Sequence, residues 1–212
     1  MRAHIIREGE YLTQIAARLG ARPEDLWNHP KNAELRAKRE HMDILRAGDI
    51  LFLPDEPPRV PLTLKKGTAN RYTVTLPKVK LSLVLRDGDV PLPNEPFVIK
   101  GAGALIEGTT DASGRLTVDI SVRVREGEIL LPKQGLSFPL HIGNMDPVRE
   151  DSGVQKRLEN LGFYSAPSSA DEDAAAAALK AAVIAFQSAH QLEANGTIDD
   201  EFRQLLTREH GC

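Results

Sequence analysis

The sequence contains one cysteine, and that residue, Cys212, is its last. No internal disulfide can brace the fold and no thiolate metal site can be assembled, so stability has to come from packing. Aromatic residues are scarce at 5%, which leaves little flat apolar surface for stacking on ligands and makes each exposed ring informative. No apolar run approaches the roughly 18 residues of a membrane span. The opening residues from Met1 to Glu10 also lack the apolar stretch of a secretory signal. The expectation is synthesis in the cytoplasm without a signal peptide and without membrane insertion. Passage to the periplasm or to a target cell would then need a specialised secretion system.

Also absent is any Lys/Arg block able to track a phosphate backbone, and with a net charge of -3 nucleic acid is excluded as a partner. The six histidines (His4, His29, His41, His141, His190 and His210) are scattered singly. They lack the i, i+4 spacing that puts two metal ligands on one helix face. No nucleophile with a base and no motif-borne carboxylate pair is visible. We therefore expect no catalytic residue, no metal, no cofactor and no enzyme activity.

Three stretches of different periodicity are present. In the first, His4 to Arg7 reads as a strand, and Leu12, Ile15, Ala16 and Leu19 mark one helix face stopped by Gly20. Pro23, Glu24 and Asp25 open a second helix, with Leu26 and Trp27 turned inward. Ile50 to Pro54 closes the unit as a strand after the polar stretch Lys31 to Glu40. The order is βααβ over residues 1–55. The prolines Pro54, Pro57, Pro58 and Pro61 deny the backbone ladder hydrogen bonds and place a linker at 56–70.

From 71 to 146 the period becomes two. Val79, Leu81, Leu83 and Leu85 alternate with Lys78, Lys80, Ser82 and Val84. Leu116 to Val124 and Leu136 to Ile142 repeat the pattern, which predicts a small antiparallel β-sandwich. From 147 to 212 the helical period returns with Val154, Leu158 and Leu161, then Leu179, Val183 and Phe186, then Phe202, Leu205 and Leu206. That predicts a three-helix domain, with Ser165 to Asp173 as an exposed loop. The fold class is multidomain α+β. The last unit is acidic, with six basic and eleven acidic residues, so long-range charge would not draw it to an anionic surface.

The first unit resembles a LysM domain. The resemblance rests on His4-Ile5-Ile6, Glu8-Gly9-Glu10, Leu12, Ile15-Ala16, Leu19-Gly20, Asp25-Leu26-Trp27-Asn28, Leu45, Gly48-Asp49 and Ile50 to Pro54. It departs at Glu10-Tyr11, where an acidic-Thr pair is usual, and in the longer stretch Lys31 to Asp43. The resemblance implies a groove for N-acetylglucosamine-type glycan between the loop after the first strand and the loop before the last. Its candidate residues are Glu8, Gly9, Glu10, Tyr11, Leu12, Leu45 and Arg46. Tyr11 is open to ligand contact or to packing, whereas Trp27 reads as core.

The last unit resembles the three-helix peptidoglycan-binding domain of wall hydrolases, through Gly153 to Leu158, Asn160 to Tyr164, Ala182 to Gln187, His190, Leu192, Asn195-Gly196 and Leu205. It departs in the loop after Tyr164, where a Gly-rich turn with Asp is usual. The resemblance implies a second wall-binding site, with Asn160, Tyr164, His190 and Asn195 as candidates. The middle unit, through Gly108 to Leu116, resembles a transthyretin-like or carboxypeptidase-regulatory-like sandwich. Together with the junction Leu140 to Pro147 it is similar to accessory proteins encoded beside type VI secretion spike proteins.

The implied function is non-catalytic binding of peptidoglycan or its fragments, with a type VI spike protein or effector as a further implied partner. The alternative is a protein-interaction scaffold that loads an effector onto a spike without wall binding. Two modules on one chain would raise apparent affinity through effective concentration, if geometry lets both engage.

Overall fold

A computed structural model describes residues 1–56, 62–73, 75–88, 90–167 and 171–211. Pro57, Pro58 and Pro61 of the expected linker, residues 168–170 of the expected loop, and Cys212 lie outside the described residues.

Three apolar clusters organise the chain. The first joins strand β1 (Arg2–Ile5), helix α1 (Leu12–Leu19), helix α2 (Pro23–Trp27), helix α3 (Ala33–Lys38) and strand β2 (Ile50–Leu53). β1 and β2 pair antiparallel, from Arg2 opposite Leu53 to Ile5 opposite Ile50. Ile6, Leu12, Ile15, Leu26, Leu35, Leu45 and Leu51 fill the core, and Trp27 is half-buried at its margin. Gly20, at φ 66°, ends α1 in the left-handed region, which glycine enters without a Cβ penalty. The polar stretch after Trp27 was not legible as structure, yet it carries a 3-10 turn (Pro30–Asn32) and α3. Its anchor is polar. The buried Asn32 amide donates to the carbonyls of Leu26 (2.8 Å) and Phe52 (3.1 Å) and accepts from Phe52 N at 2.7 Å. Only Leu35 adds an apolar contact to the core from α3, so hydrophobic periodicity could not reveal this helix.

The middle unit contains β3 (Lys78–Val84), β4 (Arg86–Asp87), β5 (Val90–Pro91), β6 (Pro96–Lys100), β7 (Ile106–Thr109), β8 (Arg115–Ser121), β9 (Glu126–Leu131) and β10 (Leu136–His141). A four-stranded antiparallel sheet in the order β10-β9-β6-β7 and the antiparallel pair β3-β8 share one core. Phe97, Ile99, Ile129, Leu131 and Leu140 supply it from the larger sheet, Leu116 and Ile120 from β8. Turn chemistry fixes the approach to β8. The Asp111 carboxylate accepts from Ser113 N (2.7 Å) and Arg115 N (3.0 Å), which is how an Asx turn reverses a chain. The buried Thr110 hydroxyl accepts from Glu95 N and donates to the Leu92 carbonyl. The short strands β4 to β7 and the glutamate-bearing β9 lack a clean two-residue alternation and went unseen in the sequence.

The last unit packs helices α4 (Asp151–Asn160), α5 (Glu172–Ala189) and α6 (Asp200–His210) around Val154, Leu158, Tyr164, Val183, Phe186, Phe202 and Leu206. Asp171 and Asp199 accept from the backbone amides of Asp173 and Phe202 and so cap α5 and α6. Such caps satisfy amides that a helix leaves unpaired at its start. Gly153 is required by contact: a Cβ there would stand 2.0 Å from the Pro147 carbonyl oxygen.

Candidate functional site

In the three-helix unit, Phe186 is the hub. Phe163 and Phe202 meet its ring edge-on, each at 5.3 Å between centroids, and His190 lies 4.3 Å away at a tilt. Edge-on contacts set the positive rim of one ring against the negative face of another. Gln187, one residue on and also buried, holds the loop before α6. Its amide donates to Asn195 Oδ1 (3.2 Å) and the Thr197 carbonyl (3.1 Å), and its oxygen accepts from Gly196 N at 2.8 Å.

The four residues expected at a wall site in this unit do not share one contact set. Asn160 is exposed and pairs with His210 at 3.0 Å, linking the ends of α4 and α6. Tyr164 is buried in the core. His190 is half-buried against Phe186 and Phe163. Asn195 is exposed, with its side-chain oxygen accepting from Thr197 N as well as from Gln187. Gln187, which orders this loop, belongs to the stretch Ala182 to Gln187 that carries the family resemblance but is not among the candidate site residues; a glutamine inside an apolar helix face is the signal for its role.

The loop after β1 sits in a seam between the first and middle units. Tyr11 is 3% exposed, and its hydroxyl donates to the Val122 carbonyl at 3.0 Å. The Gln14 amide reaches the same carbonyl at 3.3 Å while its oxygen accepts from Arg125 at 3.2 Å. Burial, with Asp43 nearby, pushes the Tyr11 phenol up to about 12, against a smaller opposing effect of Arg125. Across the seam the backbones nearly touch: a Cβ on Gly143 would lie 2.8 Å from both the Gly9 carbonyl oxygen and the Tyr11 ring.

Glu10 is 5% exposed and is spoken for within its own unit. His4 and Arg18 each meet its carboxylate at 2.8 Å, and Arg7 N donates at 3.2 Å. Burial opposes the charge, but these hydrogen bonds outweigh it and hold the carboxyl below its ordinary range. Leu12 and Leu45 belong to the first core. Glu8 is exposed and Gly9 half-buried.

Arg46 turns to the last unit, meeting Glu150 at 2.7 Å. Arg39 bridges the same two units. It forms a two-pronged pair with Asp49 at 2.8 Å and a longer contact with Glu150 at 3.2 Å. Arg149 and Glu40, at 3.0 Å, add a second strap. The buried Arg157 braces the junction itself by donating to the Asp146 and Gly153 carbonyls, both at 2.8 Å. The units therefore meet through specific polar contacts, and a cavity of about 530 Å³ opens where they converge, lined by Tyr11, Val79, Ile142, Met145, Val148 and Thr207 among others. Among the described residues no cluster of three or more His, Cys, Asp or Glu could hold a metal ion. No helix of the described residues is long and apolar enough to cross a membrane.

Residues 152–206 match the family described as "Putative peptidoglycan binding domain". The match spans α4, α5 and most of α6, and it makes the last unit a three-helix peptidoglycan-binding domain. No curated protein and no solved structure matches the chain.

Proposed function

We propose that the chain is a non-catalytic accessory protein that binds peptidoglycan through its last unit, with N-acetylglucosamine-type glycan as the part recognised. The observation that carries this reading is the family match over 152–206, coincident with a complete three-helix core around Phe186. The surface available for a ligand on that unit includes the exposed Asn160 and Asn195 and the half-buried His190. The strand-helix-helix-strand order of the first unit supports a LysM-like domain. The two sheets sharing one core support a transthyretin-like spacer. Synthesis in the cytoplasm and delivery with a type VI secretion spike complete the proposal, resting on the resemblance of the middle unit and junction.

A second reading, an adaptor that carries an effector on a spike without touching the wall, is favoured by one observation. Tyr11, Leu12 and Leu45 are buried, and the loop that a LysM groove would use is packed against Val122 and Gly143. On this reading the first unit holds the chain together.

Co-sedimentation of the full chain with insoluble peptidoglycan sacculi separates the two, run beside a chain ending at Asp146. Retention of the full chain and loss of the shortened one is the expected result. Equal retention of both would move the wall contact out of the last unit. Full recovery of the intact chain in the supernatant would leave the adaptor reading.

A further inference from the structure

The pairing of β3 leaves one of its sides open. Val122 N donates to the Pro77 carbonyl at 3.1 Å and Leu85 N to the Gly114 carbonyl at 2.9 Å, in register with Val79 opposite Ile120 and Leu83 opposite Leu116. In an antiparallel ladder, main-chain groups alternate between the two sides of a strand. Those of Val79, Leu81 and Leu83 therefore face β8, and those of Lys78, Lys80, Ser82 and Val84 face away. Among the described residues no strand pairs with β3 on that side.

The open edge borders a trough rather than flat surface. Lys80 and Val79 line both the 530 Å³ junction cavity and an adjoining one of about 400 Å³, whose opposite wall is Thr13, Ala17 and Met42 of the first unit. Val79, Leu81 and Leu83 are only half-buried, so the apolar side of β3 is incompletely covered. On the other face Lys78 and Lys80 are exposed, and among the described residues neither forms an ion pair within 4.0 Å. Three nearby carboxylates are engaged elsewhere, Asp43 by Thr13, Glu40 by Arg149 and, at 3.9 Å, Glu24 by Arg22. The exposed Asp119 stands opposite Lys80 in the ladder and offsets part of its charge.

We propose that this edge docks an extended, acidic segment of a partner protein by strand addition. Backbone hydrogen bonds to residues 78–84 supply the pairing, and alternate side chains supply the choice. Acidic residues of the incoming strand lie beside Lys78 and Lys80, and its apolar residues extend the half-buried row of Val79, Leu81 and Leu83. The site is independent of wall binding by the last unit. A contrast within the same unit supports the assignment. The edge strand β10 exposes Leu136 and Phe138 but carries Pro139. Ile142 N donates inward to the Arg125 carbonyl, which puts residue 139 among those facing outward. A proline there removes a donor and guards that edge against strand addition.

The test uses a fluorescein-labelled peptide of alternating Glu and Val, eight residues long by design at about 3.3 Å per residue, titrated with the full chain at low salt and read by anisotropy. Saturable binding is expected, weakened roughly tenfold or more by the double variant Lys78→Glu/Lys80→Glu. Lys80→Pro removes an outward donor without touching the β8 ladder and should abolish binding, with the melting temperature of each variant checked. Amide exchange within 78–84 should slow in the complex. No binding at about 1 mM peptide, or equal binding by a peptide of the same charge with alternate backbone nitrogens methylated, would overturn the proposal.

Discussion

The Tyr11 hydroxyl donates to the Val122 carbonyl across 111 residues of sequence, and that one contact locks the loop after β1 against the middle unit. A ring whose position in the loop suited it to sugar contact is turned into an interdomain bolt. The bond lies in the seam, so its loss is felt by both units. Tyr11→Phe removes the donor and leaves the Val122 carbonyl with the weaker Gln14 contact. A cost of about 1 kcal/mol is expected, read by urea denaturation. Tyr11→Ala also empties the ring's space and should cost about 3 kcal/mol or more.

The same phenol makes a prediction in alkali. Its folded pKa, raised to about 12 from the ordinary 10.0, means the neutral form is the one the fold accommodates. The stability tied to that difference is intact below pH 10.0 and is lost as pH climbs towards 12. Absorbance titration of the phenolate should show a late component from Tyr11, and Tyr11→Phe should lack it.

Arg39 supports a third test because it serves two carboxylates from different units. Asp49 is held below its ordinary range: burial raises it, but the hydrogen bonds from Arg39 and Arg46 N prevail. Arg39→Met leaves Asp49 without its guanidinium and leaves Glu150 with Arg46 alone. Breaking a mostly buried pair by deleting one partner costs about 3 kcal/mol. With Asp49 and Glu10 both depressed, stability from these sites is present above their unfolded values, 3.8 and 4.5, and is lost as pH falls below them through the folded values. Acid unfolding of Arg39→Met should begin at higher pH than that of the parent chain.

Legibility from sequence followed the kind of force involved. Apolar periodicity revealed α1, β3, β8, α4 and α5, because each packs a regular row of side chains against a core. It could not reveal α3, held by the buried amide of Asn32, nor β9, where Glu126 and Glu128 interrupt the pattern. Motif reading marked Gly9, Glu10 and Tyr11 as a loop of consequence, but nothing local says that Val122 and Gly143 arrive on top of it. That is a tertiary fact, carried by two glycines that permit close approach and a carbonyl with no side-chain signature. Gln187 stands in the stretch that carries the family resemblance, but its tie to the loop before α6 has no local signal beyond a polar residue in an apolar helix face.

Gln187 therefore gives the last test, and it bears on the peptidoglycan-binding unit directly. Its amide makes three hydrogen bonds to the Asn195 to Thr197 loop, and Gly196 there sits at φ 74° with Lys180 and Ile184 crowding the place a Cβ would take. Gln187→Met keeps the volume and the helix propensity but leaves the Gly196 amide and the Thr197 carbonyl without this partner. A loss of about 1 to 3 kcal/mol is expected, together with faster amide exchange confined to 193–198. If that loop touches the wall, sacculus retention should fall further than the stability loss alone accounts for, when compared with a core variant such as Val183→Ala matched in melting temperature. If the two variants retain equally, the loop is a structural tie and the contact surface lies toward Asn160 and the ends of α4 and α6.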